Sequence, residues 1–140
     1  MLQLLKIKVG NSSFIKYIVV GVANTLIGIC IIFSLKWFWM FGDVLSNIVG
    51  YSIGAVLAYA LNKQWVFRYG GTVITSFPKF IIVMLIAYLA NLCVVISFID
   101  IYKVNSYVAQ AIGVFPYTII GFLGNKFFAF KIKTEVKGAL

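Results

Sequence analysis

The sequence has no histidine and only three acidic residues, Asp43, Asp100 and Glu135. General acid and base catalysis needs titratable groups near the operating pH, and all three acids lie outside the long apolar runs, so no such pair can be built. The two cysteines, Cys30 and Cys93, fall inside apolar runs, where they are interpreted as small hydrophobic side chains. These absences predict a protein that is not an enzyme and that has no metal or other cofactor.

Charge is also scarce, since charged residues make up 11% of the 140 residues and apolar residues 63%. Soluble domains carry about a quarter charged residues, so the composition predicts a membrane protein. The length fits four spans of about 20 residues each and leaves little of this chain for a soluble domain. Proton-coupled multidrug export calls for a carboxylate within the membrane, and none of the apolar runs contains one.

Four apolar runs predict membrane spans at about 14–36, 44–67, 78–99 and 107–130. No small-residue cleavage site follows the first run, which is therefore expected to be a retained span and not a signal peptide. Pro78 is expected at the start of the third span, where a missing amide hydrogen costs little. Pro116 lies within the fourth span and predicts a kink there.

The chain contains an internal repeat, because the segment 62–67 (NKQWVF) has a looser copy at 125–130 (NKFFAF), 63 residues later. The same offset, without a gap, relates residues 13–68 to residues 76–131. The pairs that carry most weight are Lys16 and Lys79, Cys30 and Cys93, Gly50 and Gly113, and Asn62 and Asn125. Because each half contains two spans, the halves are expected to share one orientation and to be related by an axis along the membrane normal.

The second run of each half carries a stripe of mostly small residues at every fourth position. The stripes are Ser46, Gly50, Gly54, Ala58 and Asn62 in the first half, and Ala109, Gly113, Tyr117, Gly121 and Asn125 in the second. Small residues on one helix face let a neighbouring helix approach closely. We therefore expect the two asparagines to lie on packing faces and not against lipid.

The net charge is +9, and the positions of the basic residues predict the orientation. Ten of the twelve basic residues lie at the two termini or in the middle loop with its flanks, and only Lys36 and Lys103 lie in the other two turns. This asymmetry predicts that both termini are cytoplasmic. Because the basic residues flank apolar runs, nucleic acid is not an expected partner. The predicted fold is an all-α membrane protein whose four transmembrane helices form two parallel two-helix repeats.

The expected cytoplasmic edge gathers lysines and amides that suit a phosphate. They are Lys16, Lys79, Lys63 and Lys126, with Asn62 and Asn125 beside the last two. An ammonium supplies charge and an amide supplies directed hydrogen bonds. The alternative is that the lysines only reach the lipid headgroups and fix topology; this alternative is favoured for Lys16 and Lys79, and phosphate binding for Lys63 and Lys126.

Two further asparagines, Asn24 and Asn91, lie deeper in the predicted spans. At a rise of ~1.5 Å per residue, Asn24 is about 15 Å beyond Phe14, near mid-membrane. Such an amide needs a partner. It either bonds a neighbouring helix or lines a polar path for a headgroup that crosses the bilayer, and the sequence leaves both interpretations open.

Three segments together resemble the GtrA-like family of small four-span bacterial membrane proteins. They are 14–17 (FIKY), 20–25 (VGVANT), and 62–67 (NKQWVF) with its copy at 125–130. The resemblance covers nearly the whole chain. It implies a location in the bacterial cytoplasmic membrane and movement of polyprenyl-phosphate-linked sugars, such as undecaprenyl-phosphate glucose, to the outer leaflet. A separate membrane glycosyltransferase would then use them to decorate O-antigen, teichoic acid or arabinan.

The resemblance also implies site residues. Its Gly-x-x-Asn-Thr signature falls on Gly21, Asn24 and Thr25, and its basic end motif on Asn62 and Lys63. Lys63 stands where many members have arginine, which removes a bidentate grip on phosphate. The second half departs from the signature, with Met84, Ala87 and Tyr88 at the corresponding positions.

Two functions from different classes remain. One is transfer of the lipid-linked sugar between leaflets; the other is a non-transporting subunit that docks and positions a polyprenyl-phosphate glycosyltransferase. The expected partners are the lipid-linked sugar, membrane lipids and membrane glycosyltransferases. Four helices form a small bundle with little interior. Self-association into a homo-oligomer is therefore also expected.

Overall fold

The computed structural model describes the backbone of residues 2–131 and the side chains from Ser12 to Lys131. All regular secondary structure in this part of the chain is helical. The helices are α1 (Leu2–Trp39), α2 (Asp43–Leu61), α3 (Val73–Asp100) and α4 (Ser106–Gly124). Two short π-helical turns, π1 (Asn62–Val66) and π2 (Asn125–Ala129), continue α2 and α4 directly. The basic residues Lys133 and Lys137, which contributed to the predicted orientation, lie outside the described residues.

Each of the four helices, with its π turn where it has one, is long and apolar enough to cross a membrane. The candidate spans are Ser12–Trp39, Asp43–Val66, Val73–Asp100 and Ser106–Ala129. The prediction of an all-helical, multi-pass membrane protein is therefore confirmed. α1 begins well before its apolar run, because hydropathy marks the membrane-crossing part of a helix and not its first residue.

The short turns begin where the backbone leaves the helical conformation. Met40 follows α1 and Lys103 follows α3, and both have a positive φ, of 54° and 53°. A residue in the left-handed conformation after the last helical turn is a common way to end an α-helix. α3 begins five residues before Pro78, so this proline lies inside the helix and not at its start as expected. Pro116 lies inside α4, as expected.

The chain divides into two compact units, Met1–Arg68 and Tyr69–Leu140. In the first unit α1 packs against α2 and π1, and in the second α3 packs against α4 and π2. Because each pair is joined by a short turn, each unit is a helical hairpin. Its open end holds the π turn and its closed end holds the interhelical turn.

The core of the first unit lies along the predicted small-residue stripe. Its five members are buried: Ser46, Gly50, Gly54, Ala58 and Asn62. The buried side chains on α1 include Tyr17 and Val20. A Cβ added at Gly50 would collide with the Ile32 side chain, so a glycine is needed there for the two helices to approach.

The second unit is built in the same way. Ala109, Gly113, Gly121 and Asn125 are buried on the α4 side, and Ser76, Phe80, Val83 and Ala87 on α3. Tyr117, the large member of this stripe, is half-buried. A Cβ at Gly113 would lie 2.7 Å from Cγ2 of Val95, the residue that corresponds to Ile32 at the 63-residue offset. The same type of contact therefore closes both hairpins.

Candidate functional site

Both Asn-Lys motifs open a π-helical turn. The amide of Phe67 donates to the carbonyl oxygen of Asn62 at 2.9 Å, and that of Phe130 donates to the carbonyl oxygen of Asn125 at 2.8 Å. These bonds span five residues instead of four, which widens the last turn of each helix. Single π turns inside or at the end of α-helices are rare and occur often at functional sites. Sequence reasoning missed both, and the only signal for them was the recurrence of the motif itself.

Asn62 is almost completely buried, with 3% of its surface exposed. Its Nδ2 donates to the carbonyl oxygen of Ala58, one turn earlier in α2, at 2.8 Å. The Oδ1 atom has no hydrogen-bond partner among the described residues. The side chain is therefore tied to its own helix through nitrogen, and it offers an acceptor.

Asn125, at the equivalent position of the second unit, is 0% exposed. Neither Oδ1 nor Nδ2 has a hydrogen-bond partner within the described part of the chain. Leaving a buried polar group unpaired costs about 1–3 kcal/mol, and almost all such groups in proteins are paired. Asn125 therefore holds more unused hydrogen-bonding capacity than Asn62.

Three of the four candidate lysines stack on aromatic rings of the π turns or beside them. The Nζ atom of Lys16 lies 5.5 Å from the Trp65 ring centre, and that of Lys79 lies 5.5 Å from the Phe128 ring centre. The Nζ atom of Lys126 lies near two rings of its own segment, 5.5 Å from the Phe122 ring centre and 5.4 Å from the Phe127 ring centre. An ammonium within ~6 Å of a ring centre is attracted by the ring's quadrupole.

Lys63 differs from the other three. Its side chain is half-buried, and between residues 12 and 131 no ion pair, hydrogen bond or ring contact engages its ammonium. Of the four lysines, Lys63 is thus the one whose charge is most available to an anion.

Asn24 and Asn91, the two asparagines predicted to lie deeper in the spans, are on the first helix of each hairpin and face glycines. The Asn24 amide lies against Gly54, where an added Cβ would be 3.5 Å from Nδ2, and its Oδ1 is buried without a partner among the described residues. The Asn91 amide lies against Gly113, where the corresponding distance is 2.6 Å. Each asparagine therefore packs at a place where the stripe has no side chain.

Thr25 is exposed, and its hydroxyl donates to the carbonyl oxygen of Gly21 at 3.0 Å. Lys16 and Lys63 both belong to the open end of the first hairpin, because Trp65 of π1 contacts Lys16. Asn24 and Thr25 lie about two helical turns deeper, at ~12 Å along α1. The predicted residues of the first unit thus form an end cluster and an interior pair, and not one contiguous site.

The second unit shows the same division. Phe128 of π2 contacts Lys79 and so joins it to the end that holds Lys126. Asn91 lies twelve residues beyond Lys79 on α3, or ~18 Å along the helix. Among the described residues, no group of three or more histidine, cysteine or acidic side chains is placed to hold a metal ion.

The comparison with protein families connects these features to a known group. Residues 16–130 match the family model described as GtrA/DPMS, transmembrane domain. The chain belongs to this family. No curated protein and no solved structure matches the chain. The predicted resemblance to GtrA-like proteins is confirmed.

The GtrA/DPMS match begins at Lys16 and ends at Phe130. It therefore includes both π turns, all four candidate lysines and the four asparagines. Membership relates the chain to membrane proteins concerned with polyprenyl-phosphate sugars.

Proposed function

We propose that this GtrA/DPMS-family protein moves a polyprenyl-phosphate-linked sugar, such as undecaprenyl-phosphate glucose, from the cytoplasmic to the outer leaflet of a bacterial cytoplasmic membrane. The observation that carries the proposal is that the second helix of each hairpin continues into a π-helical turn that begins with a buried asparagine followed by a lysine. The protein itself catalyses no reaction. A separate membrane glycosyltransferase uses the delivered sugar to glycosylate a surface polysaccharide.

In this proposal the lysines of the two π turns recognise the phosphate. Lys63 supplies an ammonium that no described residue engages, and Lys126 supplies one that lies near two aromatic rings. Asn62 and Asn125 add hydrogen bonds beside them. A lysine binds phosphate as a point charge, so release into the other leaflet is easier than from a bidentate arginine.

The main barrier to transfer is removal of water from the charged headgroup. Asn24 and Asn91 would lower this barrier for the sugar, because each places an amide within a span that is otherwise apolar. The prenyl tail stays in lipid throughout. Both termini are cytoplasmic in this proposal, the two hairpins are parallel repeats, and the protein associates with copies of itself.

The test is binding of undecaprenyl phosphate to the purified protein by native mass spectrometry. The parent protein is compared with Lys63→Ala and Lys126→Ala, and the competitor is phosphatidylglycerol. We expect saturable binding that falls in both variants. Lys103→Asn is the matched control, because it removes a charge at the closed end of the second hairpin and asparagine tolerates the left-handed backbone there.

Undecaprenyl phosphate that binds no better than phosphatidylglycerol, or that binds equally to the parent and the two π-turn variants, would refute the phosphate role. Reconstituted vesicles then extend the test to movement. A fluorescent short-chain polyprenyl-phosphate glucose should become accessible in the opposite leaflet when the parent protein is present, and Lys63→Ala should slow this transfer.

One observation favours a docking subunit as the second candidate function. On α1, Gly21 and Thr25 lie on one exposed face, and a Cβ added at Gly21 would meet no atom within 4 Å outside its own part of the helix. An open face of small residues suits close approach by a helix of another protein. Stable co-purification with a polyprenyl-phosphate glycosyltransferase, without lipid movement, would support this function over transfer.

A further inference from the structure

The two equivalent asparagines do not use their amides in the same way. In the first unit, Asn62 donates through Nδ2 to the carbonyl oxygen of Ala58. The residue that corresponds to Ala58 in the second unit is Gly121. Its carbonyl oxygen accepts the backbone amide of Asn125, yet the Asn125 side chain does not bond it. The same helix position thus offers the same acceptor, and only Asn62 uses it.

The Asn125 amide differs from that of Asn62 in a second respect. Neither its donor nor its acceptor has a partner among the described residues, and the side chain is 0% exposed. The neighbouring backbone is tightly packed, since a Cβ at Gly124 would lie 2.7 Å from Cγ1 of Val83. The side chain is therefore held in a well-packed place and is not a loosely oriented surface amide.

The hydrogen-bonding groups of the Asn125 amide indicate which part of a ligand it can bind. An ionised phosphodiester has acceptors only and would occupy only the N–H groups. A sugar hydroxyl donates one hydrogen bond and accepts others, as the complete amide group requires. In a polyprenyl-phosphate sugar, both kinds of group meet where the phosphate joins the sugar ring.

We infer that Asn125 binds the sugar side of the phosphate–sugar junction, accepting a hydrogen bond from a sugar hydroxyl through Oδ1, and so lets the protein distinguish the sugar-bearing carrier from the bare carrier. This inference rests on the proposed function and deepens it. Because Asn125 is 0% exposed, this binding requires the π2 turn, which begins at Asn125, to open. Lys126 of the same turn would then lie beside the phosphate.

The experiment is a competition measured by native mass spectrometry. The purified full-length protein is mixed with equal concentrations of undecaprenyl phosphate and undecaprenyl-phosphate glucose, with phosphatidylglycerol as the background lipid. The ratio of glucose-bearing to bare carrier bound is compared among the parent, Asn125→Leu and Asn62→Leu. Leucine has the same branched shape as asparagine, although it is larger, and it removes all the hydrogen bonds of the side chain.

We expect the parent to prefer the glucose-bearing carrier and Asn125→Leu to lower that ratio about five- to tenfold, the equivalent of one hydrogen bond. Asn62→Leu, the matched change in the first unit, should alter the ratio less than about twofold. Asn125→Ala should repeat the result of Asn125→Leu, and it replaces that variant if leucine prevents folding.

The possible outcomes separate the inference from the proposed function. If Asn125→Leu weakens the binding of both carriers equally and leaves the bound ratio unchanged, Asn125 binds only the phosphate and the inference is wrong. An equal fall in the ratio for Asn62→Leu would also overturn it, because the difference between the two units would have no consequence. A parent that binds both carriers above phosphatidylglycerol without preference overturns only the inference. A parent that binds neither carrier above phosphatidylglycerol overturns the proposed function as well.

Discussion

The ammonium of Lys16 lies 5.5 Å from the centre of the Trp65 ring, and so joins the first helix of its hairpin to the π turn that ends the second. The relationship recurs at an offset of 63 residues, where Lys79 lies 5.5 Å from the Phe128 ring centre. The two contacts occur in separate units and between corresponding residues. They give Lys16 and Lys79 a role within the fold, whereas Lys63 has none among the described residues.

We predict that the Lys16 and Trp65 side chains are energetically coupled by about 0.5–1 kcal/mol, the usual size of a partly exposed cation–π contact. The measurement is a double-mutant cycle with Lys16→Met and Trp65→Leu, in which the free energy of unfolding is obtained by titrating detergent micelles with dodecyl sulfate. Methionine keeps the length of the lysine stem and removes its charge. A coupling energy indistinguishable from zero would mean that the contact contributes nothing to stability.

Two glycines that face asparagines should differ in their tolerance of alanine. At Gly113 the new Cβ would lie 2.6 Å from Nδ2 of Asn91 and 2.7 Å from Cγ2 of Val95. Val95 is β-branched and has little rotamer freedom in a helix. We expect Gly113→Ala to lower the free energy of unfolding by about 1–3 kcal/mol, the usual cost of overpacking.

Gly54→Ala is the matched control for this prediction. Its Cβ would meet the Asn24 amide at 3.5 Å, an ordinary van der Waals distance. The change should leave stability within about 0.5 kcal/mol of the parent or raise it slightly, because alanine is the better helix former. Equal losses in the free energy of unfolding at both positions would show that close packing at Gly113 does not cause the destabilisation.

Much of the fold could be predicted from the sequence. Four apolar runs separated by turns leave few alternatives to four helices, because a lipid-exposed backbone must satisfy its own hydrogen bonds. The stripe at every fourth residue identified the packed face of α2, including buried Asn62. The ends of the helices were less predictable. α3 begins at Val73, ahead of its most apolar part, because helix formation depends on backbone hydrogen bonds and not on hydropathy.

The details of the candidate site could not be predicted. The same sequence can end a helix in a π turn or in an ordinary α-helical turn. The two differ only in which backbone carbonyl each amide bonds, and the sequence pattern does not show this. The difference between Asn62 and Asn125 was equally hidden, because both motifs begin with Asn-Lys. It depends on the direction of each side-chain amide, which the motif does not specify.

The two motif asparagines should also affect stability differently. Asn62→Ala removes the hydrogen bond to the carbonyl oxygen of Ala58 and should lower the free energy of unfolding by about 0.5–1.5 kcal/mol. Asn125→Ala removes two buried polar atoms that are unpaired among the described residues, so we expect it to be neutral or stabilising in the absence of lipid. The same detergent titration measures both. A loss of more than about 1.5 kcal/mol for Asn125→Ala would show that its amide has a structural partner after all.

The predicted topology can be tested at two glycines that have room for a side chain. Gly42 lies between α1 and α2, and Gly70 lies between π1 and α3, and a Cβ added at either would meet nothing within 4 Å in the described chain. The native Cys30 and Cys93 are free and exposed, so both are first replaced by alanine.

With both termini cytoplasmic, Gly42→Cys should react with a membrane-impermeant maleimide in intact cells. Gly70→Cys should react only after the membrane is permeabilised. The reverse pattern would mean that the basic residues do not set the orientation, and reaction of both cysteines in intact cells would contradict a second span between them.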